Sequence, residues 1–196
     1  MENKEQFNQY IKIFLEENSK VNLISKNDEK FLWEKHICDS LAISSFFEKY
    51  KGNYKTLLDI GTGGGFPAIP IAIVYSNLQV VALDSIVKKI RAVENISRKL
   101  NLENLTPLCQ RVETIEQTFD LITSRAVSSL KNISNYALPR LKEQGYFVAY
   151  KSKKALEEIK EAEPIIQKYE AEIVDIIEYT LPTETVHTRN LIIIKK

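Results

Sequence analysis

The sequence predicts an α/β fold: a mostly parallel sheet of seven strands with helices on both faces, a C-terminal antiparallel hairpin, and an all-helical N-terminal extension. Three observations predict it. From Lys55 onward, short apolar runs alternate with stretches of helical period, the pattern of a parallel sheet. The last two apolar runs, 171–179 and 190–194, have only a loop between them, and strands without a crossover helix must pair antiparallel. Glycines crowd positions 61–65, between the first apolar run and the helix that follows it.

The elements follow in order. Residues 3–18 read as an amphipathic helix, with Phe7, Tyr10, Ile11, Phe14 and Leu15 on one face and Lys12, Glu16 and Glu17 on the other. Val21–Ser25 reads as an extended link. Asn27-Asp28 is positioned to cap a second helix through Phe31, Leu32 and Trp33, and a third apolar helical stretch covers 40–47. Residues 1–53 thus form an extension too small for its own core, expected to pack on a domain spanning 54–196, the whole being one structural unit. In that domain strands are expected at 55–60, 79–84, 104–109, 119–124 and 145–150. Helices are expected at 66–76, 86–100, 128–141 and 153–168.

Bulk composition excludes several classes. A chain of 196 residues holds one full core. Lys+Arg 27 against Asp+Glu 26 leaves a formal net charge of +1, so any nucleic-acid site must be a local patch. Cys38 and Cys109 are far apart, with no CxxC spacing, and read as buried thiols in a reducing compartment. The polar start Met1–Gln6 is no signal peptide, and no apolar run reaches the roughly 20 residues that span a bilayer. A cytoplasmic protein is expected, without membrane contact.

The glycine loop carries the chemistry. Asp59-Ile60-Gly61-Thr62-Gly63-Gly64-Gly65-Phe66-Pro67 joins a strand to a helix, and Asp84 ends the next strand, 23 residues after Gly61. Glycines let a ligand approach the backbone, and a carboxylate at a strand tip accepts hydrogen bonds from ribose hydroxyls. A dinucleotide needs G-x-G-x-x-G and an open helix N-terminus, yet Phe66-Pro67 stands there. S-adenosylmethionine, which has no phosphates, fits better. The parallel sheet closed by an antiparallel hairpin is also the Rossmann-like architecture of class I methyltransferases.

Strand C-termini face the ligand crevice of such sheets, and Asp59, Asp84 and Arg125 fall there. Arg125 could pair with an acidic neighbour; a positive fork at the crevice is better explained by RNA contact. Lys151, Lys153 and Lys154 follow the fifth strand, and His187 and Arg189 precede the last. Lys151, Lys153, His187 and Arg189 are candidates for the missing positive patch; Lys154 and Lys160 read as solvated surface. His36 and Asp39 read as a hydrogen-bonded pair seating the N-terminal helices, not a metal site, because no further ligands cluster with them. Trp33 reads as core.

These residues resemble the bacterial 16S ribosomal RNA guanosine-N7 methyltransferase family RsmG, also called glucose-inhibited division protein B. The marks run nearly the whole chain: Asn22-Leu23-Ile24-Ser25, His36-Ile37-Cys38-Asp39-Ser40-Leu41, Asp59–Pro70, Leu83-Asp84-Ser85 with Lys88-Lys89, Arg111-Val112-Glu113, Ser124-Arg125-Ala126-Val127 and Thr188–Ile192. The resemblance implies that Gly61 and Phe66 contact S-adenosylmethionine, with Gly63 and Gly65 in the same loop. It puts Val112 and Glu113 beside the adenine and Arg125 at the site. It also implies a guanosine of the 530 loop in 16S RNA as methyl acceptor, on RNA or the small-subunit particle; a monomer is expected. The chain departs from the family at Gly64, Ala68, Val112 and Lys151-Ser152; the last could alter an RNA-side loop. Guanine N7 has a free lone pair and no proton to remove, so the reaction needs alignment and charge stabilisation but no general base. A carbon-5 pyrimidine methylase would want a reactive cysteine, which neither Cys38 nor Cys109 offers. A small-molecule or protein methyltransferase, and a non-catalytic cofactor-binding module, are the competing readings.

Overall fold

The computed structural model describes residues 3–152, 155–183 and 187–196. Seven strands form one sheet: β1 (Thr56–Ile60), β2 (Gln79–Asp84), β3 (Leu105–Cys109), β4 (Phe119–Arg125), β5 (Leu141–Lys151), β6 (Glu172–Leu181) and β7 (His187–Lys195). Their order is β3-β2-β1-β4-β5-β7-β6. β1 to β5 pair in parallel, and β7 runs antiparallel between β5 and β6. The expected sheet is therefore present, with its topological switch at β1, between β2 and β4.

The parallel strands are buried on both faces, and neighbouring residues go to opposite cores. Leu57, Leu121, Val148, Leu191 and Ile193 face α1 (Lys4–Val21), α4 (Ala68–Val74) and α5 (Val87–Lys99). Leu58, Ile122, Phe147, Ile192 and Ile194 face α6 (Leu130–Ala137) and α7 (Ala155–Lys168). The N-terminal helices share the first core, with Phe7, Tyr10, Phe14, Ile37, Ile43 and Phe46 all buried. Truncating one of these large side chains to alanine should cost about 2–5 kcal/mol.

The N-terminal region is where local structure departs from expectation. α1 runs to Val21 and is closed by Asn22 in the left-handed region, φ 53°, in place of an extended link. The expected second helix is a 3₁₀ turn (Glu29–Phe31) running into a π-helical turn (Leu32–Ile37) and then α2 (Cys38–Leu41); α3 (Ser44–Lys49) follows. Asp28 caps no helix, because its carboxylate accepts from Ser25 Oγ at 2.6 Å and from Lys35 Nζ at 3.1 Å. The expected helix 128–141 stops at Ala137, followed by a 3₁₀ turn, and β5 begins at Leu141. The cysteine expectation is corrected too: Cys38 is half-buried, and Cys109, at the end of edge strand β3, is exposed. Trp33 is half-buried, edge-on to Phe7 with ring centres 5.5 Å apart.

Candidate methyl-donor and acceptor site

The glycine loop folds back over the end of β2. Gly61 N and Thr62 N both donate to Leu83 O, at 2.8 and 2.9 Å. Gly61, Gly63 and Gly65 have φ of +73°, +58° and +91°. A Cβ at Gly61 would collide with Val127 Cγ2, and one at Gly65 with Ile69 Cδ1. Backbone angle and space both demand glycine there. The helix begins later than expected, at Ala68, with Pro67 preceding its first turn.

Asp84, expected to accept from a ribose, already holds two backbone partners. Its Oδ2 accepts from Gly63 N at 3.0 Å and its Oδ1 from Ile86 N at 2.9 Å. It thus clamps the loop to the start of α5, and each oxygen keeps lone-pair capacity for a ligand hydroxyl. Asp59 corrects an expectation. It is fully buried on the Leu57 face of β1 and reaches neither cavity of the site. Its Oδ1 accepts from Thr123 Oγ1 at 2.9 Å, and the neighbouring Thr62 hydroxyl and Ala68 N–H also favour its charged form. Burial pushes its carboxyl up to about 6.

Two cavities open at the C-terminal ends of the parallel strands, where an open α/β sheet holds its ligands. The smaller, about 390 Å³, is bordered by Asp84, the 3₁₀ turn Val112–Thr114 with Glu113, and Val127. The larger, about 650 Å³, is bordered by His36, Asp39, Phe66, Arg125, Tyr179, His187 and Arg189. Gly61, Lys89 and Ala126 border both. Ala126 has φ 57°, a strained conformation for a residue with a Cβ, at the point where β4 leaves the site.

Arg125 is not a free fork. Its Nη1 bonds Asp39 Oδ2 at 2.8 Å, its Nη2 lies 3.3 Å from His36 Nδ1, and its guanidinium sits 5.1 Å from the centre of the Phe66 ring. Phe66 is buried and also packs on Phe14 and His36, each with ring centres 5.1 Å away. Burial, with the adjacent Arg125 charge, lowers the His36 imidazole to about 4, so the ring is neutral at physiological pH. Asp39 is shared: Tyr179 Oη donates to its Oδ1 at 2.7 Å. One residue along, Ser40 O accepts from Tyr150 Oη at 2.7 Å. The expected His36–Asp39 pair is in fact joined through Arg125.

Lys151 borders the larger cavity but is not a free cation. Its Nζ donates to Ser128 O and to Glu158 Oε2, both at 2.7 Å, and its side chain is 9% exposed. Glu158 also accepts from Leu130 N at 2.6 Å, so Lys151 ties β5 to the starts of α6 and α7 instead of projecting outward. Lys153 and Lys154 fall outside the described residues. His187 is exposed, and Arg189 lies opposite Tyr179 in the β6–β7 register. Sequence reasoning missed Tyr179. Its signal was the alternation Ile177, Tyr179, Leu181 along one strand face. Among the described residues, no group of three or more His, Cys, Asp or Glu side chains could hold a metal ion.

Comparison with known proteins decides what this site belongs to. The family described as rRNA small subunit methyltransferase G matches residues 3–187. The chain belongs to this family. The Ribosomal RNA small subunit methyltransferase G of Clostridium botulinum (strain Eklund 17B / Type B) is 37% identical over 203 residues, covering 98% of this chain and 83% of that one. The protein of the same name from Staphylococcus epidermidis (strain ATCC 12228 / FDA PCI 1200) is 38% identical over 198 residues, covering 98% and 82%. Among solved structures, a SAM-dependent methyltransferase from Aquifex aeolicus superposes with TM-score 0.62 at 20% identity, over 90% of this chain and 97% of that one. M. jannaschii TYW2 in complex with AdoMet gives 0.60 at 15% identity, over 81% and 76%. These two likenesses concern the fold. The rRNA small subunit methyltransferase G family uses S-adenosylmethionine as methyl donor, and the cradle fits it: a close-approach glycine loop, a strand-tip carboxylate with spare capacity, and no phosphate site required.

Proposed function

We propose that this chain methylates N7 of a guanosine in the 530 loop of 16S ribosomal RNA, with S-adenosylmethionine as donor. The observation that supports this most is the junction of the two cavities at Gly61 and Ala126, in a chain of the rRNA small subunit methyltransferase G family. The smaller cavity is read as the nucleoside site and the larger as the acceptor site.

Gly61 and Gly63 let the cofactor lie against the backbone, Gly65 shapes the loop by making room for Ile69, Asp84 takes the ribose, and Val112 and Glu113 border the adenine. Asp59 acts from beneath by holding β1 to β4. Phe66 and Arg125 stand between donor and acceptor. The cofactor, when bound, supplies a methyl group activated on sulfonium. The chain's own task is to orient the base and exclude water. N7 carries no proton, and the side chains nearest Arg125 are a neutral imidazole and an ion-paired carboxylate, so no general base is assigned. Arg189 and His187 form the RNA-facing rim and Lys151 braces it; Lys153, outside the described residues, is read as a further RNA contact.

The N-terminal segment 1–53 is read as the roof of the acceptor site over the domain 54–196. No helix among the described residues is long and apolar enough to cross a membrane. The reading is of a monomer acting in the cytoplasm on small-subunit RNA or its particle. The test is labelled-methyl transfer to unmodified 16S RNA, naked and in particles, followed by borohydride–aniline cleavage. One cleavage within the 530 loop is expected. Label in another RNA, in protein or in a metabolite would overturn the reading.

A further inference from the structure

The cations around the larger cavity are not equivalent. Lys35 is paired with Asp28 at 3.1 Å, Arg125 with Asp39 at 2.8 Å and Lys151 with Glu158 at 2.7 Å. Each is neutralised by the chain's own acids before any ligand arrives. Lys89 differs. It stands in the first turns of α5 and is half-buried, whereas its neighbour Lys88 and Arg91 are exposed. Its ammonium has no hydrogen-bond or ion-pair partner among the described residues. Lys89 also borders both cavities, a place shared only with Gly61 and Ala126 among the described residues. A cation drawn partly out of water without a counter-charge is costly unless a ligand supplies one.

We infer that Lys89 binds an anionic oxygen at the junction of the two cavities. The inference rests on the nucleoside lying in the smaller cavity. The sulfur must then point across the junction toward the acceptor, and the methionyl tail leaves from that same atom. Its carboxylate is one anion available at Lys89; a backbone phosphate of the acceptor RNA, entering from the larger cavity, is the other. Either would form a charge-assisted hydrogen bond.

The test compares S-adenosylhomocysteine with 5′-methylthioadenosine, which keeps the nucleoside and sulfur but has no carboxylate, on wild type, Lys89→Gln and Lys89→Arg. If the anion is the carboxylate, Lys89→Gln binds S-adenosylhomocysteine about tenfold more weakly, as expected for a lost charge-assisted bond, and Lys89→Arg restores most of it. Binding of 5′-methylthioadenosine stays within about twofold, which also shows that the variant is folded. If the anion is a phosphate, both small ligands bind Lys89→Gln as they bind wild type. The KM for 16S RNA then rises, and its log–log salt slope falls by about 1. Equal weakening of both small ligands would overturn the inference, as would no change in ligand affinity and RNA KM alike. Failure of wild type to bind either small ligand would instead overturn the cofactor reading, and this inference with it.

Discussion

The two halves of the site, which we propose hold the methyl donor and the acceptor, are built by different physics. The donor half, around β1 and β2, is mostly backbone: three glycines at positive φ, N–H groups folded onto Leu83 O, and Asp84 clamping Gly63 and Ile86. The acceptor half, at the ends of β4 to β7 and under the N-terminal turns, is mostly side chains: Arg125 with Asp39 and His36, Tyr179 on Asp39, and Lys151 on Glu158. A cradle of backbone tolerates no added atom. A network of buried charges tolerates no lost partner. The two halves should therefore fail in opposite ways.

The largest effect is expected in the acceptor half. Asp39→Ala removes one member of a pair whose side chains are 5% and 15% exposed and leaves Arg125 uncompensated. A loss of about 3–5 kcal/mol in urea unfolding is expected. A loss below about 1 kcal/mol would mean that water already screens the pair. In the donor half, Gly65→Ala should cost about 2–4 kcal/mol through the left-handed backbone and the clash with Ile69. S-adenosylhomocysteine binding should weaken with it. Unchanged stability would show that the loop has room the structure denies.

The halves also differ in the sign of their pH dependence. Asp59 is raised from 3.8 to about 6, so between those values the folded state binds the extra proton. Its contribution to stability is full below pH 4 and is lost as pH rises through about 6. His36 is lowered from 6.5 to about 4, so there the unfolded state binds the extra proton. Its contribution is present above about 6.5 and is lost as pH falls through about 4. Asp59→Asn should make the stability curve rise more steeply between pH 4 and 6, and His36→Gln should make it fall. Each change should be on the order of 1–3 kcal/mol across the window. Parallel curves for both variants would remove this distinction between the halves. The smallest effect is expected for Tyr179→Phe, which removes one hydrogen bond to a charged group at unchanged packing and should cost about 1–2 kcal/mol.

The same contrast explains what the sequence discloses. The donor half is legible because its parts are close in the chain: Gly61–Phe66 is one loop, and Asp84 ends the next strand. Only the depth of Asp59 escapes such a reading, since a strand-end acid can sit under the loop as well as on it. The acceptor half pairs residues far apart: Arg125 is 86 positions from Asp39, and Tyr179 is 140 from it. No spacing rule reaches that far. Lys151 looks like a surface cation until α7 brings Glu158 against it. The turns at 29–41 mislead for a local reason. Asp28 is drawn to Ser25 and Lys35, and no residue pattern announces a π-helical turn. The seven-stranded order needs only the alternation of elements and the missing final crossover.

The most direct test of this division is a paired measurement on Arg189→Ala: S-adenosylhomocysteine affinity by calorimetry, and KM for 16S RNA across a salt series. The account predicts an unchanged affinity, a KM raised about tenfold or more, and a salt slope smaller by about 1. A fall in S-adenosylhomocysteine affinity together with an unchanged KM would contradict it, because the larger cavity would then be holding the donor.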